Sequence, residues 1–140
     1  MDNTSSIDKE TYAMEWLNIA EMDLSCAKHL LTHYPLPIEI ICYHCQQSAE
    51  KALKGLLVLN RQTPPRVHDL MVLLPLIEIY VSGIADFVPQ CNVLNKYAVA
   101  PRYPAELDIS EPQVRTAIQY AETLLSFCKP FFTTNDTSHP

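Results

Sequence analysis

Residues 43–65 read YHCQQSAEKALKGLLVLNRQTPP, and the chain continues through Arg66 into Val67-His68-Asp69-Leu70. Cys45, Ala49, Ala52, Leu53, Leu56 and Leu57, with Ile41 before them, recur at steps of three and four, the period of one helix face. This predicts a helix from about Ile38 to Asn60. The small side chains of Cys45, Ala49 and Ala52 would admit a neighbouring helix closely. Gly55 costs about 1 kcal/mol in a helix interior, so its presence points to tight packing there. Thr63-Pro64-Pro65 makes a stiff connector, because proline fixes φ and supplies no donor. His68-Asp69 opens the next helix, with Asp69 near the positive end of its dipole.

The flanking chain follows the same period. Residues 1–7 are read as a polar arm, and a first helix is predicted from about Asp8 to His33. Its stripe is Leu17, Ala20, Leu24, Ala27 and Leu31, stopped by Pro35 and Pro37. Leu70, Leu73, Leu74 and Ile77 form the inner face of a third helix, with Pro75 expected to kink it. Ser82-Gly83 breaks the chain before a fourth helix, predicted from Ile84 to Ala98. Residues 99–104 contain two prolines that push their predecessors toward extended geometry. Ser110 with Gln113 is a capping-box pattern, followed by Val114, Ala117, Ile118, Ala121, Leu124, Leu125 and Cys128 at helical spacing. Residues 133–140 are a polar tail. With no strand-like alternation, the expected fold is all-α: an up-and-down bundle of four to five helices in one domain over residues 8–132.

The composition agrees with a helical core. Two glycines against eleven prolines suit helices joined by stiff turns, and 48% hydrophobic content excludes a disordered chain. The formal charge of −6 argues against a whole-surface nucleic-acid binder, so any anion site is a local patch. The longest apolar run, residues 70–77, is too short to span a bilayer. No secretory pattern is read at the N-terminus, and the five cysteines are an odd count. Reduced thiols and a cytoplasmic location are therefore expected.

Four groups of residues bear on chemistry. Lys51, Lys54, Arg61 and Arg66 place four of the ten basic residues within sixteen positions. That is a local field suited to phosphate, or else a solvated helix face in which Glu50 and Lys54 pair at i,i+4. Arg61 and His68 are separated by six residues. As cation and base they could cleave RNA without metal; alternatively His68 caps the third helix and Arg61 is merely solvated. Tyr97, Arg102 and Tyr103 surround a proline-fixed turn that could offer a guanidinium and a ring to a nucleotide, or could pack and pair with Asp23. Cys42-x-x-Cys45, with His44 between, lacks the second ligand pair of a zinc site. It is read as a buried Cys45 and a partly exposed Cys42, and neither metal nor cofactor is expected.

Ala20-Glu-Met-Asp23-Leu24-Ser-Cys-Ala27, Gln46-Gln47-Ser-Ala49-Glu50-Lys51-Ala52-Leu53-Lys54, Pro65-Arg-Val-His68-Asp69-Leu70 and Tyr97-Ala-Val-Ala-Pro-Arg102-Tyr103-Pro104 stand in this order. Together they resemble the HEPN family of small helical domains over nearly the whole chain. The resemblance implies a helical bundle that often forms homodimers and binds nucleotide or RNA. It also implies frequent pairing with a small nucleotidyltransferase in toxin–antitoxin-like modules. Some branches are metal-independent ribonucleases using an arginine and a histidine a few residues apart, the roles that fall on Arg61 and His68. The His-Asp-Leu and Arg-Tyr-Pro blocks bring the chain nearer a branch in which binding rather than cleavage is expected.

The leading expectation is thus a binding module, with Lys51, Lys54 and Arg102 on phosphate and His68 and Tyr103 on ribose or base. A ribonuclease using Arg61 and His68 is the second reading. A non-catalytic protein docking on a nucleotidyltransferase, with Tyr80, Phe131 and Phe132 at the interface, is the third.

Overall fold

The computed structural model describes residues 3–98 and 109–133, with side chains from residue 8 onward. Five α-helices carry the described chain: α1 (Asn3–His29), α2 (Ile38–Leu59), α3 (Leu70–Glu78), α4 (Val88–Leu94) and α5 (Glu111–Thr133). No strand occurs among the described residues. The first helix takes in residues 3–7, which the sequence pattern marks as an arm. No helix breaker precedes Asp8, and propagation from an anchored helix costs little. The two-proline stretch 99–104 and the tail beyond Thr133 lie outside the described residues.

The helix α2 lies at the centre. Residues 45–50 and 52–58 are buried without interruption, so over that length α2 is enclosed on all sides rather than along one stripe. On one side packs α1, through Ala13, Leu17, Ala20, Leu24 and Ala27. The approach is close because small residues face each other: the Ser48 hydroxyl donates to the Ala20 carbonyl at 2.8 Å. On another side packs α5, through Val114, Ala117, Ala121, Leu124 and Cys128. Between α1 and α5, Lys28 pairs with Glu122 and Lys129 with Glu21. These exposed pairs stabilise by at most about 1 kcal/mol each, but they show that α5 runs antiparallel to α1.

Three chain breaks position the site. The end of α2 is a Schellman motif: Gln62 N–H donates to Leu57 O at 2.9 Å and Arg61 N–H to Val58 O at 3.0 Å. Arg61 sits at φ 64°, in the left-handed region that usually takes glycine. The connector then returns alongside α2 and brings His68 level with Gln46 and Glu50. The end of α3, at Ile79 and Tyr80, lies by Leu57 and Gln62. Thus α3 runs in the same direction as α2, and the up-and-down alternation is interrupted once. At the start of α3, Asp69 Oδ1 accepts from Met71 N–H at 2.9 Å and Asn95 Oδ1 accepts from Leu70 N–H at 2.9 Å. Two otherwise unpaired donors of the helix start are thereby satisfied. Asp69, not His68, is the cap.

The expected fourth helix is composite: a 3₁₀ turn at Ile84–Phe87, α4, and a second 3₁₀ turn at Asn95–Tyr97. Tightened ends are common in short helices, and here the second turn brings Asn95 to α3. Half of the expected capping box is present: Ser110 N–H donates to Gln113 Oε1 at 2.7 Å, while the Ser110 hydroxyl donates to the same oxygen at 3.0 Å and Gln113 N–H bonds the Ser110 carbonyl instead. Cys42 is corrected: it is 0% exposed, like Cys45, and the second 3₁₀ turn sets buried Tyr97 near both thiols.

Candidate functional site

The middle of α2 carries polar side chains into the protein interior, and Glu50 is their hub, only 2% exposed. Lys54 Nζ–H donates to Glu50 Oε2 at 3.0 Å, one helical turn along. From the connector, His68 Nδ1 lies 3.1 and 3.2 Å from the two Glu50 oxygens. Gln46 Nε2–H donates to the His68 carbonyl at 2.9 Å, which pins the connector to the helix. Gln47 Nε2–H donates to Gln46 Oε1 at 2.8 Å, and Lys51 Nζ–H to Gln47 Oε1 at 2.7 Å. Residues 46, 50 and 54 form one four-step ladder and 47 and 51 another, so the helix period itself assembles the network.

The electrostatics follow from this packing. Burial alone would push the Glu50 carboxyl up. Hydrogen bonds from Lys54 and His68 and the charges of Lys54 and Lys51 outweigh it, and the carboxyl titrates below its usual 4.5. A depressed folded-state value means that ionised Glu50 stabilises fully above 4.5, and that this contribution is lost as pH falls through the lower folded value. The stability gap between wild type and Glu50→Gln, read from urea midpoints, is therefore expected at neutral pH and should close as pH drops below 4.5. A gap of constant size across that range would show that Glu50 is not the titrating hub.

His68 differs from its partner in exposure. Its side chain is 73% exposed while Glu50 is buried. With Nδ1–H donated to the carboxylate, the ring is oriented and Nε2 becomes the acceptor on the open side. A buried carboxylate holding a surface imidazole is an arrangement that suits a proton acceptor or a phosphate-facing donor.

The sequence-predicted residues are distributed unevenly. Lys51 and His68 share this network, Lys51 through Gln47 and His68 through Glu50. Lys54 is in it as well, but its side chain is only 8% exposed and its ammonium is committed to Glu50. The i,i+4 pair read from the sequence therefore exists, buried rather than solvated. Arg66 stands exposed on the connector, two positions before His68. Arg61 lines a cavity with the α1 side chains Asp8, Lys9 and Tyr12. It lies two positions beyond the end of α2, whose nine steps from Glu50 to Leu59 rise roughly 14 Å at about 1.5 Å each. Arg102 and Tyr103 lie outside the described residues; Tyr97, grouped with them in sequence, is buried in the core. Asp23 pairs with His44 at 2.9 Å. Tyr80 and Phe131 are exposed, whereas Phe132 is buried.

Gln46 and Glu50 do not stand out in the sequence as site residues. The available signal is their four-step spacing with Lys54, which indicates a shared face and not that the face is covered. Among the described residues no cluster of three or more His, Cys, Asp or Glu side chains could hold a metal ion, and no helix is long and apolar enough to cross a membrane. Burial pushes the Cys42 thiol up to about 12, with the Glu39 charge adding to it, and raises Cys45 further.

The HEPN domain model matches residues 13–131. The chain belongs to the HEPN domain family. The match takes in most of α1, the Glu50 network and almost all of α5. A curated relative, "Putative toxin MJ1304" of Methanocaldococcus jannaschii, is 29% identical over 86% of this chain and 88% of its own length. Two crystal structures share the fold. TT1696 from Thermus thermophilus is 30% identical, with a TM-score of 0.70 over 84% of this chain and 95% of that one. ST0689, described as an archaeal HEPN homologue, is 27% identical, with a TM-score of 0.66 over 86% of this chain and 97% of its own. This HEPN chain thus matches these relatives along most of their lengths.

Proposed function

We propose that this HEPN protein binds nucleotide or RNA through the His68 face of α2, as the binding component of a toxin–antitoxin-like pair with a small nucleotidyltransferase. The observation that carries the reading is the exposed His68 imidazole anchored on buried Glu50 beside Lys51. In this reading Lys51 and His68 meet the phosphate and ribose, while Lys54 acts through Glu50 and does not touch the ligand. Arg102 and Tyr103 remain the sequence-level candidates for a further phosphate and base contact. The toxin name of the Methanocaldococcus relative supports the toxin–antitoxin setting.

A second reading, a metal-independent endoribonuclease, is favoured by the same dyad. His68 Nε2 would take the 2′-hydroxyl proton as that oxygen attacks the adjacent phosphorus. The 5′-oxygen leaves and is protonated from water, giving a 2′,3′-cyclic phosphate and a 5′-hydroxyl. The cations at hand are then Lys51 in the network and Arg66 on the connector. Arg61, the cation of the sequence reading, stands beyond the end of α2 and lines its own cavity.

The experiment uses a short labelled RNA in EDTA with wild type, Lys51→Ala and His68→Gln. Loss of one phosphate contact should weaken binding across sequences and lower the salt slope by about one. Unchanged affinity and slope in both variants would remove the binding reading. Cyclic-phosphate ends that disappear in His68→Gln would establish the ribonuclease; retained binding without product would leave the module.

A further inference from the structure

At the far end of α2 the chain builds a second feature that the His68 reading does not use. Arg61 stands at φ 64°, where a non-glycine residue carries a backbone cost. Among the described residues its guanidinium makes no hydrogen bond or ion pair. It lines a cavity of about 600 Å³, between the connector as far as Pro64 and the α1 side chains Asp8, Lys9 and Tyr12. Tyr12 is 48% exposed. Its ring is held edge-on against Trp16, with centroids 6.0 Å apart.

We infer that this cavity is a nucleotide subsite, with Arg61 and Lys9 on the phosphate and the Tyr12 face stacked on the base. Three observations converge on that ligand. Two cations against one carboxylate give the cavity a positive balance in a chain of net charge −6. A volume of about 600 Å³ lies within the range of small-molecule sites. An aromatic face beside a guanidinium is a pairing that takes a base and its phosphate together. Asp8 is available to accept from a base amino group or a ribose hydroxyl. Arg61 is thereby assigned to holding a nucleotide and not to His68. The rise of roughly 14 Å from Glu50 to the end of α2 corresponds to about four stacked nucleotides at ~3.4 Å each. An RNA strand occupying both ends must be at least about that long.

Trp16 is the sole tryptophan and abuts Tyr12, so its fluorescence reports on the cavity. The full chain is titrated with AMP, with an oligoadenylate of about six nucleotides, and with inorganic phosphate. AMP and the oligoadenylate are expected to perturb Trp16, and phosphate to bind more weakly because it cannot stack. Arg61→Gly, which the left-handed backbone accepts, should weaken AMP binding about tenfold without lowering the melting temperature. Tyr12→Leu should erase the preference for AMP over phosphate. Trp16 abuts Tyr12 and so reports the Arg61 end of α2, whereas the labelled-RNA experiment with Lys51→Ala and His68→Gln reports the His68 face, so the two readings fail separately. Tighter binding of the oligoadenylate than of AMP identifies RNA as the ligand source, and equal affinities a free nucleotide. Wild-type AMP affinity in Arg61→Gly, or no Trp16 response to either nucleotide, would overturn it.

Discussion

Replacing Lys54 by methionine should cost about 3 kcal/mol of stability, lowering the melting temperature by roughly 10 °C for a chain of this size. The reason is that Glu50 is buried and ionised, and among the described residues Lys54 is the only ammonium in direct contact with it. Removing one partner of a buried pair leaves the other charge desolvated and unbalanced. The hydrogen-bond donors His68, Gln46 and Gln47 remain on Glu50, which keeps the loss at the low end of the range for such pairs. The double variant Glu50→Leu/Lys54→Met should regain most of it, to within about 1–2 kcal/mol of wild type, because apolar replacement of a whole buried pair is often nearly neutral. Urea midpoints for wild type, the two single variants and the double variant at neutral pH measure the coupling. Additive losses in the double variant would mean that the pair is solvated and independent. The same physics makes Lys54→Ala a poor test of phosphate contact: it would report folding first. Lys51, whose ammonium rests on the neutral Gln47, is the variant that isolates binding.

Gly55→Ala should destabilise by about 2 kcal/mol, even though alanine gains about 1 kcal/mol over glycine in a helix interior. A β-carbon there would lie 2.8 and 2.9 Å from Phe132 Cζ and Cε2 and 3.0 Å from Trp16 Cβ. The Trp16 contact is the less forgiving of the two, since its β-carbon is fixed to the α1 backbone. Phe132, near the end of α5, has more room to move, so Phe132→Leu in the alanine background should recover about 1 kcal/mol relative to the sum of the single variants. Calorimetric melting of the four proteins decides it. A rise in melting temperature for Gly55→Ala would show that the three helices separate there at little cost.

The tight packing around Gly55 is legible in the sequence, and the reason is general. Glycine and small residues inside a periodic helix have few explanations other than a neighbour close by. The apolar stripes of α1, α2 and α5 are legible for a similar reason, since each face buries residues at the helix period. The Ser110–Gln113 cap and the Asp69 helix start are readable because capping is a local hydrogen-bond problem. Less legible is α4, where the balance between α and 3₁₀ turns depends on Asn95 reaching across to Asp69 and Leu70. The burial of Cys42 is not legible at all, because Tyr97 comes from more than fifty positions away, and no window of the local sequence contains both.

The site divides along the same line. Residue order and period alone determined that Gln46, Glu50 and Lys54 share one face of a helix, that a stiff proline connector follows, and that His68 stands just before the third helix. Only the tertiary structure decided that this face is covered, that the connector doubles back to set His68 on Glu50, and that Arg61 ends in a separate cavity with Lys9 and Tyr12. Helix faces follow from bonds between residues three and four apart, which the chain carries in itself. Which face meets solvent, and which distant side chain reaches it, follows from how the helices pack, and that depends on all of them at once.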